Sequence, residues 1–136
     1  MDKKKIIIII VSIIALIASS LILVLSFNKE EAKKFPDSTT PVENQELLQD
    51  HTIGDLLISD VLLYSIGETS QYTAIVTNKS KKDTTATLYI TFYENDNKTE
   101  VIALYNKKIA SGEQKNIDIS FESDMTKITK IEYTLK

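Results

Sequence analysis

From Ile6 to Phe27 the chain runs for 22 residues without a charge, preceded by Lys3, Lys4 and Lys5 and followed by Asn28, Lys29, Glu30 and Glu31. Crossing about 30 Å of hydrocarbon takes roughly 20 mostly apolar residues, whereas the apolar stretch of a secretory signal usually has only ~7 to 15. The run therefore predicts a transmembrane helix over residues 6–27. A cleaved signal would need small residues before the cut, and Val24, Leu25 and Ser26 supply a poor version of that pattern. Lipid attachment would need a cysteine, and the sequence has none. Lys3, Lys4 and Lys5 favour an N-terminus held in the cytoplasm, against Lys29, Lys33 and Lys34 on the far side. The expectation is a single-pass protein of the cell membrane, with residues 1–5 as a cytoplasmic tail and everything after Phe27 outside.

The 109 residues beyond Phe27 suffice for one domain with its own core and fall short of two. All 16 basic residues are lysine, and the outer part carries 13 of them against 18 acids, a net charge of −5. That balance argues against a nucleic-acid surface and keeps the domain soluble beside an anionic membrane. Without cysteine there are no crosslinks, no thiol nucleophile and no thiolate metal site.

Residues 28–50 read as a linker. Up to about Thr40 the composition is polar and carries Pro36, with Pro41 next, too little apolar surface to order itself. A flexible stalk of that length would hold the domain ~20 Å from the bilayer on average. Thr40, Pro41, Val42 and Glu43 fit a capping box with Thr40 as the cap and Pro41 at the first helical position, opening a stretch Asn44–Gln49 rich in helix formers, which predicts a short helix to about Asp50, ending before Gly54.

Beyond Leu56 the period changes to two. In Thr84–Tyr93, Ala86, Leu88, Ile90 and Phe92 fall on one face while Thr85, Thr87, Tyr89, Thr91 and Tyr93 fall on the other. Weaker alternation marks strands over 70–77, 116–121 and 130–135, and Leu57–Tyr64 and Glu100–Tyr105 complete a set of six. Turn residues separate them: Gly67–Glu68, Asn78–Ser80, Asn95–Asn97, Ser111–Glu113 and Ser123–Asp124. Short strands with turns every ten or so residues and no helix between them predict an antiparallel, immunoglobulin-like β-sandwich over residues 51–136.

Three stretches carry a family resemblance: Tyr72-Thr73-Ala74-Ile75-Val76-Thr77-Asn78-Lys79-Ser80, then Ile90-Thr91-Phe92-Tyr93-Glu94, then Ile109-Ala110-Ser111-Gly112-Glu113. Together they resemble the FxLYD-type immunoglobulin-like domains of bacterial cell-envelope proteins, which show "V-x-N-x-S", "F-Y-D-x-x-G" and "L-x-P-G-E" at these places. Glu94 stands where Asp is usual, Asn97 where Gly is usual, and Ala110 and Ser111 where Leu and Pro would be. The resemblance covers about Leu57 to Lys136 and implies a sandwich behind an N-terminal anchor, with no catalytic activity and no active residue to carry over. Physical reading of the same positions agrees: Asn78 bonds local backbone and tolerates a left-handed conformation, and Gly112 supplies positive φ in a tight turn.

No constellation for chemistry emerges. His51 is the only histidine, and a three-ligand metal site or a histidine triad needs partners that are missing; its place at the expected helix end suits a protonated imidazole. Glu94-Asn95-Asp96-Asn97 lacks the glycine and distal glutamate of a calcium loop. Asp118 alternates outward with Ser120, so it and Glu122 read as solvated charge. Asn78-Lys79-Ser80 and Asn97-Lys98-Thr99 match the glycosylation acceptor pattern by chance and mark exposed loops. No cofactor and no metal are expected.

The outward row of the best strand remains, and Tyr89, Thr91 and Tyr93 are its candidate partner contacts, because tyrosine brings large contact area at low entropic cost. The function expected is a non-enzymatic, membrane-anchored binding module whose partner is another envelope protein or a wall component. The alternative is a pilus or secretion-apparatus subunit assembling through its apolar N-terminal helix; the lack of a processing glycine before the span and of an acid inside it weighs against that.

Overall fold

The computed structural model describes residues 32–136, so the expected cytoplasmic tail and the transmembrane helix over 6–27 lie outside the described residues. Among the described residues no helix is long and apolar enough to cross a membrane. One compact unit spans Lys34–Lys136.

Its best-patterned segment forms β5 (Thr84–Glu94), whose Ala86, Leu88, Ile90 and Phe92 are all buried, as alternation requires of a strand with one apolar face. Around it stand β1 (Thr40–Pro41), β2 (His51–Ile53), β3 (Leu56–Ile66), β4 (Thr69–Asn78), β6 (Asn97–Ile109), β7 (Gln114–Phe121) and β8 (Lys130–Leu135). The fold is all-β: one antiparallel sheet runs β1-β3-β4-β7 with β2 also on β3, and the other runs β6-β5-β8. Their apolar faces meet in a common core. At its centre the Phe92 ring meets Tyr72 edge-on at 5.3 Å and Phe121 at 5.1 Å.

About six strands were expected and eight are present among the described residues, β1 and β2 being too short to show a period. The linker expectation needs correction from Phe35 onward. Thr40 and Pro41 pair with Ser65 and Tyr64, Val42 and Leu48 are fully buried, and the Phe35 ring packs edge-on against Tyr64 at 6.4 Å. Two isolated apolar residues in a polar stretch carry no periodic signal, yet each fills a place in the core left open by the sheets. The expected helix is a single 3₁₀ turn, Gln45–Leu48, capped by Asn44, whose side chain accepts the Glu46 N–H at 3.2 Å, in place of Thr40. Gly54 does not end that helix. It sits at φ +56° in the two-residue turn between β2 and β3, where Ile53 pairs with Leu56, a backbone conformation that glycine takes at little cost.

The weak alternation of Leu57–Tyr64 has a local cause. Asp60 adopts φ +51° at a bulge that shifts the β3–β4 register between Ser59 and Leu62. An extra residue swaps the faces, so that Leu56 and Ile58 point into the core before it and Val61 and Leu63 after it.

Candidate functional site

β5 is the central strand of its sheet, so each outward residue has a neighbour on both sides. Tyr93 lies between Lys98 of β6 and Lys130 of β8, Thr91 between Glu100 and Glu132, and Tyr89 between Ile102 and Thr134. The three candidate contacts therefore form the middle row of a nine-residue face, with charged residues at one end and apolar and hydroxyl residues at the other.

These side chains hold one another. The Tyr93 hydroxyl donates to Glu132 Oε2 at 2.6 Å, Lys130 forms an ion pair with Glu132, and its ammonium stands 5.0 Å from the Tyr93 ring centroid. Lys136 covers the Tyr89 ring at 4.2 Å. Tyr89 and Tyr93 are half-buried, but Thr91 is only 6% exposed, which corrects the expectation of an open hydroxyl there. Glu100 and Glu132 flank the short threonine on either side, and its hydroxyl donates to Glu100 Oε2 at 3.4 Å.

Electrostatics suits contact better than proton transfer. The hydrogen bond to Glu132 pushes the Tyr93 phenol above its usual range, while Lys130, then Tyr93, hold the Glu132 carboxyl below the usual carboxylate range. Neither is poised near neutrality, where an acid or base is most effective.

Other residues singled out in the sequence serve the scaffold. Asn78 is fully buried, and its amide donates to Lys82 O at 2.8 Å and Ile109 O at 3.0 Å while its oxygen accepts from the Ser80 N–H at 3.0 Å and hydroxyl at 2.8 Å. It ends β4 without positive φ, and the acceptor pattern at 78–80 marks no exposed asparagine. Gly112, at φ +75°, donates its N–H to Asn78 O at 2.9 Å in the turn that Glu113 closes by accepting the Ala110 N–H at 2.7 Å. His51 opens β2, two residues past the C-cap Gln49 of the 3₁₀ turn, and stacks on Tyr133 at 5.0 Å. Behind it the Tyr133 and Tyr72 hydroxyls are 2.9 Å apart, and burial pushes both phenols up. Asn95 and Asp96 form the hairpin turn between β5 and β6, with Asn95 at φ +53°. Asp118 is exposed and accepts from the Gln71 amide. Among the described residues no group of three potential metal ligands comes together.

Folding lowers the carboxyl pKa of Asp83 (Ser111 N–H, then Lys108), Glu113 (Lys115, then Ala110 N–H), Asp124 (Thr126) and Glu132. A lowered carboxyl stabilises the fold above its unfolded pKa and loses that contribution as pH falls through the folded value. Raised phenols at Tyr72, Tyr93 and Tyr133 act on the other side, below pH 10.0, and lose their contribution as pH climbs through the folded values. The urea midpoint should therefore be level across neutrality, decline below about pH 4.5, and decline again above about pH 10. A midpoint that rises between pH 5 and pH 3 would contradict this arrangement.

Sequence reasoning missed the flanking residues of this face, Lys98, Glu100 and Ile102 on β6 and Lys130 and Glu132 on β8. One signal was available: Val101 to Tyr105 are five apolar residues in succession, which a strand with one wet face does not need. No protein-family model, no curated protein and no solved structure matches this chain.

Proposed function

We propose that the chain is a single-pass membrane protein of the bacterial cell envelope whose immunoglobulin-like outer domain binds another envelope component through contacts, without chemistry. The observation that carries the reading is the fixed tyrosine row. Tyr89 and Tyr93 are held by Lys136, Glu132 and Lys130, so the rotamer entropy that a partner would have to remove is already spent on folding. Rigid, half-buried tyrosines rimmed by charge are the composition expected of a contact patch. The anchor rests on the uncharged run Ile6–Phe27 and the lysines before it.

Topology is tested first. The protein should fractionate with membranes, resist carbonate extraction and lose its C-terminal domain to protease added outside spheroplasts. A protected C-terminal domain would remove the envelope reading.

For the face itself, a photo-crosslinking residue at Thr87, beside the row, should capture a partner in intact cells. Replacing both Tyr89→Ser and Tyr93→Ser should leave the domain folded and its membrane location unchanged, with a Tm lower by several degrees. Affinity for the captured partner should fall by a factor of about 30 or more, since one anchor tyrosine is worth about 2 kcal/mol. Unchanged affinity in a folded double variant would return the row to ordinary sheet packing.

A further inference from the structure

The sheet that bears the tyrosines ends in β6, which has 13 residues and, among the described residues, only β5 as a hydrogen-bonded neighbour. Among the described residues its other margin therefore has main-chain N–H and C=O groups that pair with no strand. Edge strands are normally blunted by shortness, charge, bulges or cover. β6 is blunted towards its ends by Lys98, Lys107 and Lys108, and its pairing with β5 shifts register twice, between Ile102 and Leu104 and between Leu104 and Lys107, where Asn106 takes φ +43°. Between them Val101–Tyr105 carries no charge, with Ile102 49% and Tyr105 76% exposed. From Asn97 to Ile102 the pairing with β5 is unbroken, so this half of the margin is straight.

We propose that the free edge of β6 over residues 98–105 accepts an extended strand from another protein, apolar at its centre and acidic at its ends. Main-chain hydrogen bonds supply affinity in this mode, and alternate side chains supply selectivity. Charge decides the kind of partner. Lys98, Lys107 and Lys108 against Glu100 make β6 net +2 in a chain of net charge −3. Pairing of two copies in the symmetric register that lays Val101–Tyr105 on itself would set Lys98 opposite Lys108, and like charges directly opposite destabilise a strand pair. An acidic-ended strand meets Lys98 at one end and Lys107 just past the other, while Lys108 is already paired with Asp83 at 3.3 Å. The edge shares Lys98, Glu100 and Ile102 with the tyrosine face but is read through the main chain of β6 and not through the rings of Tyr89 and Tyr93, so substitution of the two tyrosines distinguishes the two proposals.

The test titrates the full chain with a fluorescent synthetic peptide in which Val and Thr alternate between paired Asp termini, beside a control with the same centre between paired Lys termini. The acid-ended peptide should bind at least tenfold more tightly and slow amide exchange within residues 98–105. Methylating every second peptide amide should abolish binding, a result that depends on no protein variant. Ile102→Lys with Tyr105→Lys should weaken binding tenfold or more, while Tyr89→Ser with Tyr93→Ser should leave it intact. Equal binding of the two peptides, no binding, protection elsewhere, or self-association that protects 98–105 without peptide would each overturn the proposal.

Discussion

Phe92→Ala should remove a large share of the domain's stability. The side chain is 1% exposed and sits between the edges of Tyr72 and Phe121, so its removal takes away a transfer term, a cavity's worth of packing and two aromatic contacts. Such truncations cost on the order of 3 to 5 kcal/mol, against a total stability of ~5 to 15 kcal/mol for a domain of this size. Tyr93→Ala, one residue on, removes a half-buried ring whose polar partners are exposed, and should cost about 1 kcal/mol. Urea midpoints of the two variants give the comparison directly. Equal losses would mean that the faces of β5 are assigned the wrong way round.

Asn78→Ala should be nearly as damaging, though it removes far less volume. Four hydrogen bonds end on this side chain, and without it the Ile109 carbonyl and the Ser80 N–H lose partners in the crowded place where β4, the Ser80 loop and the end of β6 meet. With ~1 to 3 kcal/mol for each buried polar group left unpaired, a loss of about 3 kcal/mol is expected. Asn78→Asp separates hydrogen bonding from shape. Its carboxylate would face two carbonyl oxygens in a buried site, so its folded pKa should be raised. The variant should then gain stability on mild acidification from pH 7 to pH 5, opposite to the acid loss expected of the parent. No such gain in the urea midpoint would mean that the carbonyls at Lys82 and Ile109 turn away in the variant and that the amide donors matter little.

The readable parts of the fold share one property. In Lys130–Leu135 the bounds expected from alternation are those observed, and the core face of β5 is the one its pattern requires. Both segments lie in register along their whole pairing with each other, so the local period and the final environment agree. β3 was harder to read because Asp60 inverts the faces midway, and β6 because an edge strand of 13 residues is solvated over most of its length. The candidate row was legible as residue types, but its burial was not. Thr91 lies between Glu100 and Glu132, which only strand pairing brings beside it.

By itself the sequence determined what depends on neighbours along the chain: the period of two, the buried face of the central strand, the turns at Gly67, Asn95 and Gly112, and the uncharged run at the N-terminus. Side-chain alternation and turn dihedrals are set within a few residues, so they leave a local mark. Only the tertiary structure decided that β4 pairs with β7 and β5 with β8, that Val42 and Leu48 belong to the core, and that β6 has a free margin. Those outcomes depend on which apolar faces cover one another across many residues of intervening chain, a fit between whole surfaces that no short window of sequence contains.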